Sequence, residues 1–238
     1  MKSFLIAVVF ALAFLSFAVL YAGRDMAQLK MPRVDLSPFL AAGCVDNDQA
    51  KGFVCPPEVL KRFGCVELKL DDRVGGIDMP AALCVIGGGK AVKGKAKSRA
   101  DEAVGATGCL LRVPYRYVLY TTKGFKVART KGEFVRLTAP FDRPEEAASL
   151  VMALNPGVMP KPLSQYGTYD MKTRDKKFLE SSARAEGDGF VVRLFERDIC
   201  GCGLHPVFAV DYSVSRDGAV SELSRKVVME GQQEICVD

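Results

Sequence analysis

Apolar and polar positions alternate most regularly near the C-terminus. Phe190 to Phe195 is an apolar, β-branched and aromatic run, and Val207 to Ser215 places Phe208, Val210, Tyr212 and Val214 on one face. That two-residue period is the mark of a half-buried strand. Between the two runs, Ile199 to Pro206 holds Gly201, Gly203 and Pro206, residues that permit unusual backbone angles and interrupt pairing, so a tight corner is expected there. Arg216-Asp217-Gly218-Ala219 predicts a hairpin with Asp-Gly in the positive-φ positions of a type I′ turn. Val220 to Met229 is expected to return as a third strand.

A second β region is predicted upstream. Pro114 confines Leu110–Val113 to an edge or bend, Tyr115–Tyr120 reads as a strand, Thr121–Gly124 turns, and Phe125–Arg129 runs back. Lys131-Gly132 turns again before Glu133–Leu137, which is read as a further strand. One helix is well signalled. Asp142 stands three residues before Glu145 with Pro144 in the first turn, the pattern of a capped start. Ala147, Leu150, Val151 and Leu154 then recur at helical spacing until Asn155-Pro156-Gly157. A shorter helix of one or two turns is expected between Pro56-Pro57 and Gly64. The pattern therefore predicts an α+β fold of two antiparallel β-meander regions with one well-capped helix between them. Residues 23–40 read as a linker, 41–138 as a cysteine-rich β region and 139–238 as helix plus meander.

Composition changes this picture at the N-terminus. The chain has 238 residues, 49% of them hydrophobic, enough to bury a substantial core. Met1-Lys2 precedes an apolar run from Phe4 to Ala22 broken only by Ser16. At helical rise that run covers about 28 Å, close to the hydrocarbon thickness of a bilayer. Residues 1–22 thus read either as a secretory signal peptide, with Ser16-Phe17-Ala18 as a small-x-small site, or as a retained membrane anchor. Both readings export the body of the protein, to the extracellular space or a periplasm.

Export makes a disulfide framework the natural reading of the 8 cysteines. Cys44, Cys55, Cys65, Cys84 and Cys109 lie before residue 139, and Cys200, Cys202 and Cys236 after it. Both counts are odd, so complete pairing requires a bridge between the halves. Pairing within the compact stretch 41–84 leaves Cys109 to join Cys200 or Cys202, and the other of these to take Cys236.

Charge is uneven. Residues 1–138 carry 21 Lys+Arg against 12 Asp+Glu, whereas residues 139–238 carry 12 against 16. The excess concentrates where Gly87-Gly88-Gly89 leads into Lys90, Lys93, Lys95, Lys97 and Arg99, a composition that resists burial and predicts a mobile basic loop. The same stretch spells G-x-x-x-x-G-K, but Ala96 stands where a phosphate loop needs Ser or Thr, so no nucleotide site is expected. The basic loop instead offers a surface for an anionic polymer or lipid, the membrane being a second candidate partner through residues 1–22. No nucleic-acid partner is expected, since Tyr115 and Tyr117 suit cross-strand core packing better than base stacking. Asp46-Asn47-Asp48 lacks the glycine and terminal glutamate of a calcium loop and reads as a turn.

Cys200-x-Cys202-x-x-His205 is the one constellation with metal chemistry in it: two thiolates and an imidazole within six residues suit copper or zinc. A thiol-redox role for Cys200 and Cys202 is the related alternative. His205 is the sole histidine, and no G-x-S-x-G accompanies it, so hydrolytic catalysis has no sequence support. No catalytic residue and no cofactor are predicted. The sequence is read as an exported, non-catalytic binding or structural module stabilised by disulfides.

Overall fold

The structure, a computed structural model, describes residues 27–47, 52–87, 103–108, 113–161, 171–173, 180–197 and 200–237. After β1 (Ala27–Gln28) and α1 (Ser37–Ala41), the chain builds a first antiparallel sheet. Its strands are β2 (Val45–Asn47), β3 (Gly52–Val54), β4 (Glu67–Lys69), β5 (Ala81–Val85), β6 (Gly105–Thr107), β7 (Val113–Thr121) and β8 (Gly124–Ala128). They lie in the order β2-β3-β4-β5-β7-β6, with β8 also on β7. Helix α2 (Pro57–Phe63) connects β3 to β4, and a 3-10 turn (Asp72–Val74) precedes β5. Two helices follow, α3 (Lys131–Thr138) and α4 (Pro144–Leu154). The second antiparallel sheet holds β9 (Val158–Met159), β10 (Met171–Thr173), β11 (Ser182–Glu186), β12 (Gly189–Arg197), β13 (Gly201–Ser215) and β14 (Val220–Val237). Its order is β1-β11-β12-β13-β14-β10, with β9 on β12.

Helix α4 lies between the sheets. Residues Glu146 to Leu154 are all buried, which is what a helix apolar on nearly every side requires. Ala147, Leu150 and Val151 share one core with Tyr115, Tyr117 and Leu119 of β7 and with Phe190, Val192 and Leu194 of β12. The helix start is fixed by Glu146, whose carboxylate accepts from the backbone N–H groups of Asp142 (2.7 Å) and Arg143 (3.1 Å). The capping acid is thus one residue later than Glu145, and Asp142 turns outward to pair with Arg216 at 2.6 Å.

The far face of the first sheet has its own core, in which Phe39 of α1 and Phe63 of α2 pack with Phe53, Leu68 and Val118. Two disulfides lie in it, Cys44–Cys55 and Cys65–Cys84. The first closes the β2–β3 hairpin beside the Val45↔Val54 pair. The second ties the segment after α2 to β5. A sheet covered on both faces needs near-continuous apolar runs, and Ala81–Cys84 of β5 is buried at all four positions.

Four local expectations differ from the structure. Residues 27–40 are part of the folded body rather than a linker: β1 pairs with β11, and Phe39 has no solvent exposure. Glu133–Leu137 belongs to helix α3, because Thr130 Oγ1 accepts from Glu133 N–H (3.1 Å) while Glu133 accepts from Arg129 N–H (2.7 Å). That reciprocal cap outweighs the strand-like Phe-Val pair. The β13–β14 hairpin turns through three residues, with Gly218 N–H donating to Ser215 O (3.0 Å), Ser215 N–H donating to Ala219 O (2.9 Å) and the third residue, Gly218, at a positive φ of 91°. This is the longer hairpin in which a turn is followed by a left-handed glycine. Finally, strand β13 begins at Gly201 where a corner was expected. Arg197, the last described residue of β12, pairs with Val207, and Pro206 pairs with Glu230 of β14.

Candidate functional site

The residues with metal chemistry lie at the start of β13. His205 pairs with Gly231 of β14 and is buried, with 3% of its surface exposed. Cys200 is disulfide-bonded, so in this oxidised chain its sulfur is not a thiolate donor. Cys202 and Cys236 lie on the paired backbones of β13 and β14. Among the described residues, no group of three His, Cys, Asp or Glu side chains converges as a metal site. Cys109 and the basic stretch Lys90, Lys93, Lys95, Lys97 and Arg99 lie outside the described residues. In sequence the stretch falls between β5 and β6.

The polar residues that the structure does bring together were not singled out in the sequence. Asp71, just before the 3-10 turn, receives Arg73 Nε at 2.7 Å and Arg73 Nη2 at 2.8 Å on its two oxygens. Tyr117 Oη of β7 donates to the same carboxylate at 2.6 Å. Arg73 Nη1 donates to the Pro156 carbonyl just beyond α4 at 3.0 Å, and Tyr115 Oη donates to Ala153 O at 3.0 Å. Four side chains from two strand-linked segments thereby hold the C-terminal end of α4, where unpaired helix carbonyls need donors. Their only sequence signals are the acidic-basic run Asp71-Asp72-Arg73 and the alternation Tyr115-x-Tyr117, both common in surface turns and cores alike.

Burial sets the electrostatics of this cluster. It pushes the Tyr115 phenol up to about 12, with the Arg73 charge opposing and the Asp71 charge assisting. The Tyr117 phenol is raised well above the ordinary tyrosine value, first by burial and then by Asp71. For Arg73 burial is the largest single influence and acts downward, but the Asp71 hydrogen bonding and the charges of Tyr117, Asp71 and Tyr115 together outweigh it and the net shift is upward. The Tyr117 phenol and the Arg73 guanidinium thus both donate to the Asp71 carboxyl group, whose side chain is only 7% exposed. The arrangement satisfies these buried polar groups with one another and with the end of α4.

The second sheet carries a more open network. Arg225 of β14 pairs with Glu196 of β12 (2.7 Å) and Glu222 (2.9 Å), and lies 5.0 Å from the centre of the Phe208 ring. On the opposite face Arg193 pairs with Asp211 at 2.7 Å, and Ser224 Oγ donates to Asp211 at 2.8 Å. These contacts cross the β12-β13-β14 ladder and favour its register. No family model, curated protein or solved structure matches the chain.

Proposed function

We propose that the protein is an exported, non-catalytic binding or structural module of the cell envelope or extracellular space. The observation that carries this reading is the pair of disulfides, Cys44–Cys55 and Cys65–Cys84, set inside the second core of the first sheet. Bridges of this kind belong to an oxidising compartment. Residues 1–22 would deliver the chain there as a signal peptide or hold it at the membrane as an anchor. Among the described residues no helix is long and apolar enough to cross a bilayer. The non-catalytic part of the reading is supported by the use made of the buried Asp71, Glu146 and Ser149, which take part in holding or capping α4. Metal analysis of protein isolated from an oxidising compartment tests it. The expected result is no stoichiometric metal; stoichiometric copper or zinc with Cys200 and Cys202 reduced would favour a metal or thiol-redox protein centred on Cys200, Cys202 and His205.

A second reading, binding of an anionic surface through Lys90–Arg99, is favoured by what surrounds the feet of that stretch. Arg116 of β7 pairs with Cys84, next to the end of β5, and Lys61 and Arg62 close α2. Each lysine or arginine near an anionic bilayer contributes about 1 kcal/mol. Co-sedimentation with vesicles containing an anionic phospholipid, but not with neutral ones, and its loss when Lys90, Lys93, Lys95, Lys97 and Arg99 are all replaced by Gln, is the expected outcome. Equal binding by the variant would end this reading.

A further inference from the structure

Helix α2 and the β7–β8 hairpin bring aromatic rings and exposed cations together on one side of the first sheet. The half-buried Phe125 of β8 is the centre of the cluster. Its ring centroid lies 5.3 Å from Phe39 of α1, 5.1 Å from Phe63 of α2 and 4.9 Å from Tyr120 of β7. Phe39 and Phe63 are buried, but Tyr120 is 40% exposed. The exposed Arg62 guanidinium lies over the same rings, 6.0 Å from the centre of Phe125 and 5.7 Å from that of Phe63. Ring surface and positive charge therefore meet at the solvent boundary.

The charge around these rings has one sign. From Ala103 to Gly132 the chain holds no Asp or Glu. On α2 the acid Glu58 sits in the first turn, whereas Lys61 and Arg62 are in the last. Elsewhere in the fold arginines are neutralised: Arg73, Arg143, Arg193, Arg216 and Arg225 each meet a carboxylate at 2.6–2.9 Å. Among the described residues, Lys61, Arg62, Lys123, Lys126 and Arg129 are exposed and meet none.

We propose that this surface docks on an anionic phospholipid bilayer, with Tyr120 at the level of the headgroups and Lys61, Arg62 and Lys123 on lipid phosphates. A bilayer interface favours amphipathic rings and cations together. A soluble polyanion would engage the cations and leave the ring in water. The hairpin that presents Tyr120 is already fixed, since Thr121 Oγ1 accepts from Lys123 N–H (3.2 Å) and donates to Gly124 O (2.9 Å). Docking then orders little new backbone. The site shares with the second reading above only the anionic character of its partner, and it stands on other side chains than Lys90–Arg99.

The chain has no tryptophan, so Tyr120→Trp gives the full-length exported protein a single indole at the site. Its emission is expected to move to shorter wavelength with vesicles containing an anionic phospholipid, and not with neutral vesicles. Lipids brominated near the headgroup are expected to quench it. Adding Lys61→Gln, Arg62→Gln and Lys123→Gln is expected to weaken the affinity read from that shift about fivefold per charge, about a hundredfold in all, with the circular dichroism spectrum unchanged. The same three exchanges in the parent chain, followed by co-sedimentation with anionic vesicles, give a readout that needs no indole. An unshifted indole in protein that still favours anionic vesicles overturns the site and leaves the Lys90–Arg99 reading standing. An affinity unmoved by the three exchanges does the same. An equal shift with dextran sulfate assigns the surface to a soluble polyanion and overturns the bilayer. No preference of the parent protein for anionic over neutral vesicles overturns both the site and that reading.

Discussion

Two glycines show how closely this molecule is packed at single residues. At Gly76 a Cβ would overlap the Glu145 carbonyl, and its N–H donates to Ser149 Oγ at 2.9 Å; the turn before β5 therefore touches the α4 backbone directly. At Gly218 a Cβ would lie 2.5 Å from Val135 Cγ1 and 3.0 Å from Phe141, on a backbone already at a φ of 91°. Gly218→Val combines overpacking with a strained φ and is expected to destabilise by about 3 kcal/mol. Urea unfolding of the variant checks this, and an unchanged midpoint would mean that the hairpin tip does not dock on α3 and α4. The buried phenols give a pH signature. Below pH 10 both folded and unfolded chains keep Tyr115 and Tyr117 protonated. Above it the unfolded chain releases these protons first, so stability falls as pH rises through about 12 for Tyr115 and further for Tyr117. Each phenol contributes a slope of at most about 1.4 kcal/mol per pH unit. Unfolding midpoints between pH 8 and 11.5 should decline less steeply in Tyr117→Phe than in the parent protein; identical slopes would show that Tyr117 titrates freely.

At the scale of elements, the strands of the second sheet were legible because their alternation reaches the surface on both sides of a clear turn. Helix α4 was legible for a different reason, its capped start and apolar spacing, although burial on every side turned an expected stripe into a core. Helix α3 was not, since Phe134-Val135 suits a strand and the deciding feature is the Thr130–Glu133 cap. Thr130→Ala removes one half of that cap and is expected to cost about 1 kcal/mol, measured as a lower thermal midpoint; no change would place the start of α3 under tertiary control instead. The Asp71–Arg73–Tyr117 cluster was illegible because Asp71 and Tyr117 are 46 positions apart, and nothing in either local pattern points to the other. Strand β1 was hidden in the same way, as its pairing with β11 joins residues as far apart in sequence as Ala27 and Ala183.

For the whole molecule, the central claim is a helix held between two sheets in a body made and stapled in an oxidising compartment. The apolar N-terminal run and the even cysteine count led to the expectation of export, with which disulfides are compatible, and the two short-range bridges fell inside the stretch where close spacing placed them. A ligand was not readable, because the described buried cluster of Asp71, Arg73 and Tyr117 is occupied with its own hydrogen bonds, and the basic stretch 90–99 lies outside the described residues. The most direct test is a thiol count on the protein taken from its own cells, denatured without reductant. The account predicts that none of the 8 cysteines reacts before reduction and that all do afterwards. Reactive thiols at Cys44, Cys55, Cys65 and Cys84 in the unreduced protein would contradict it.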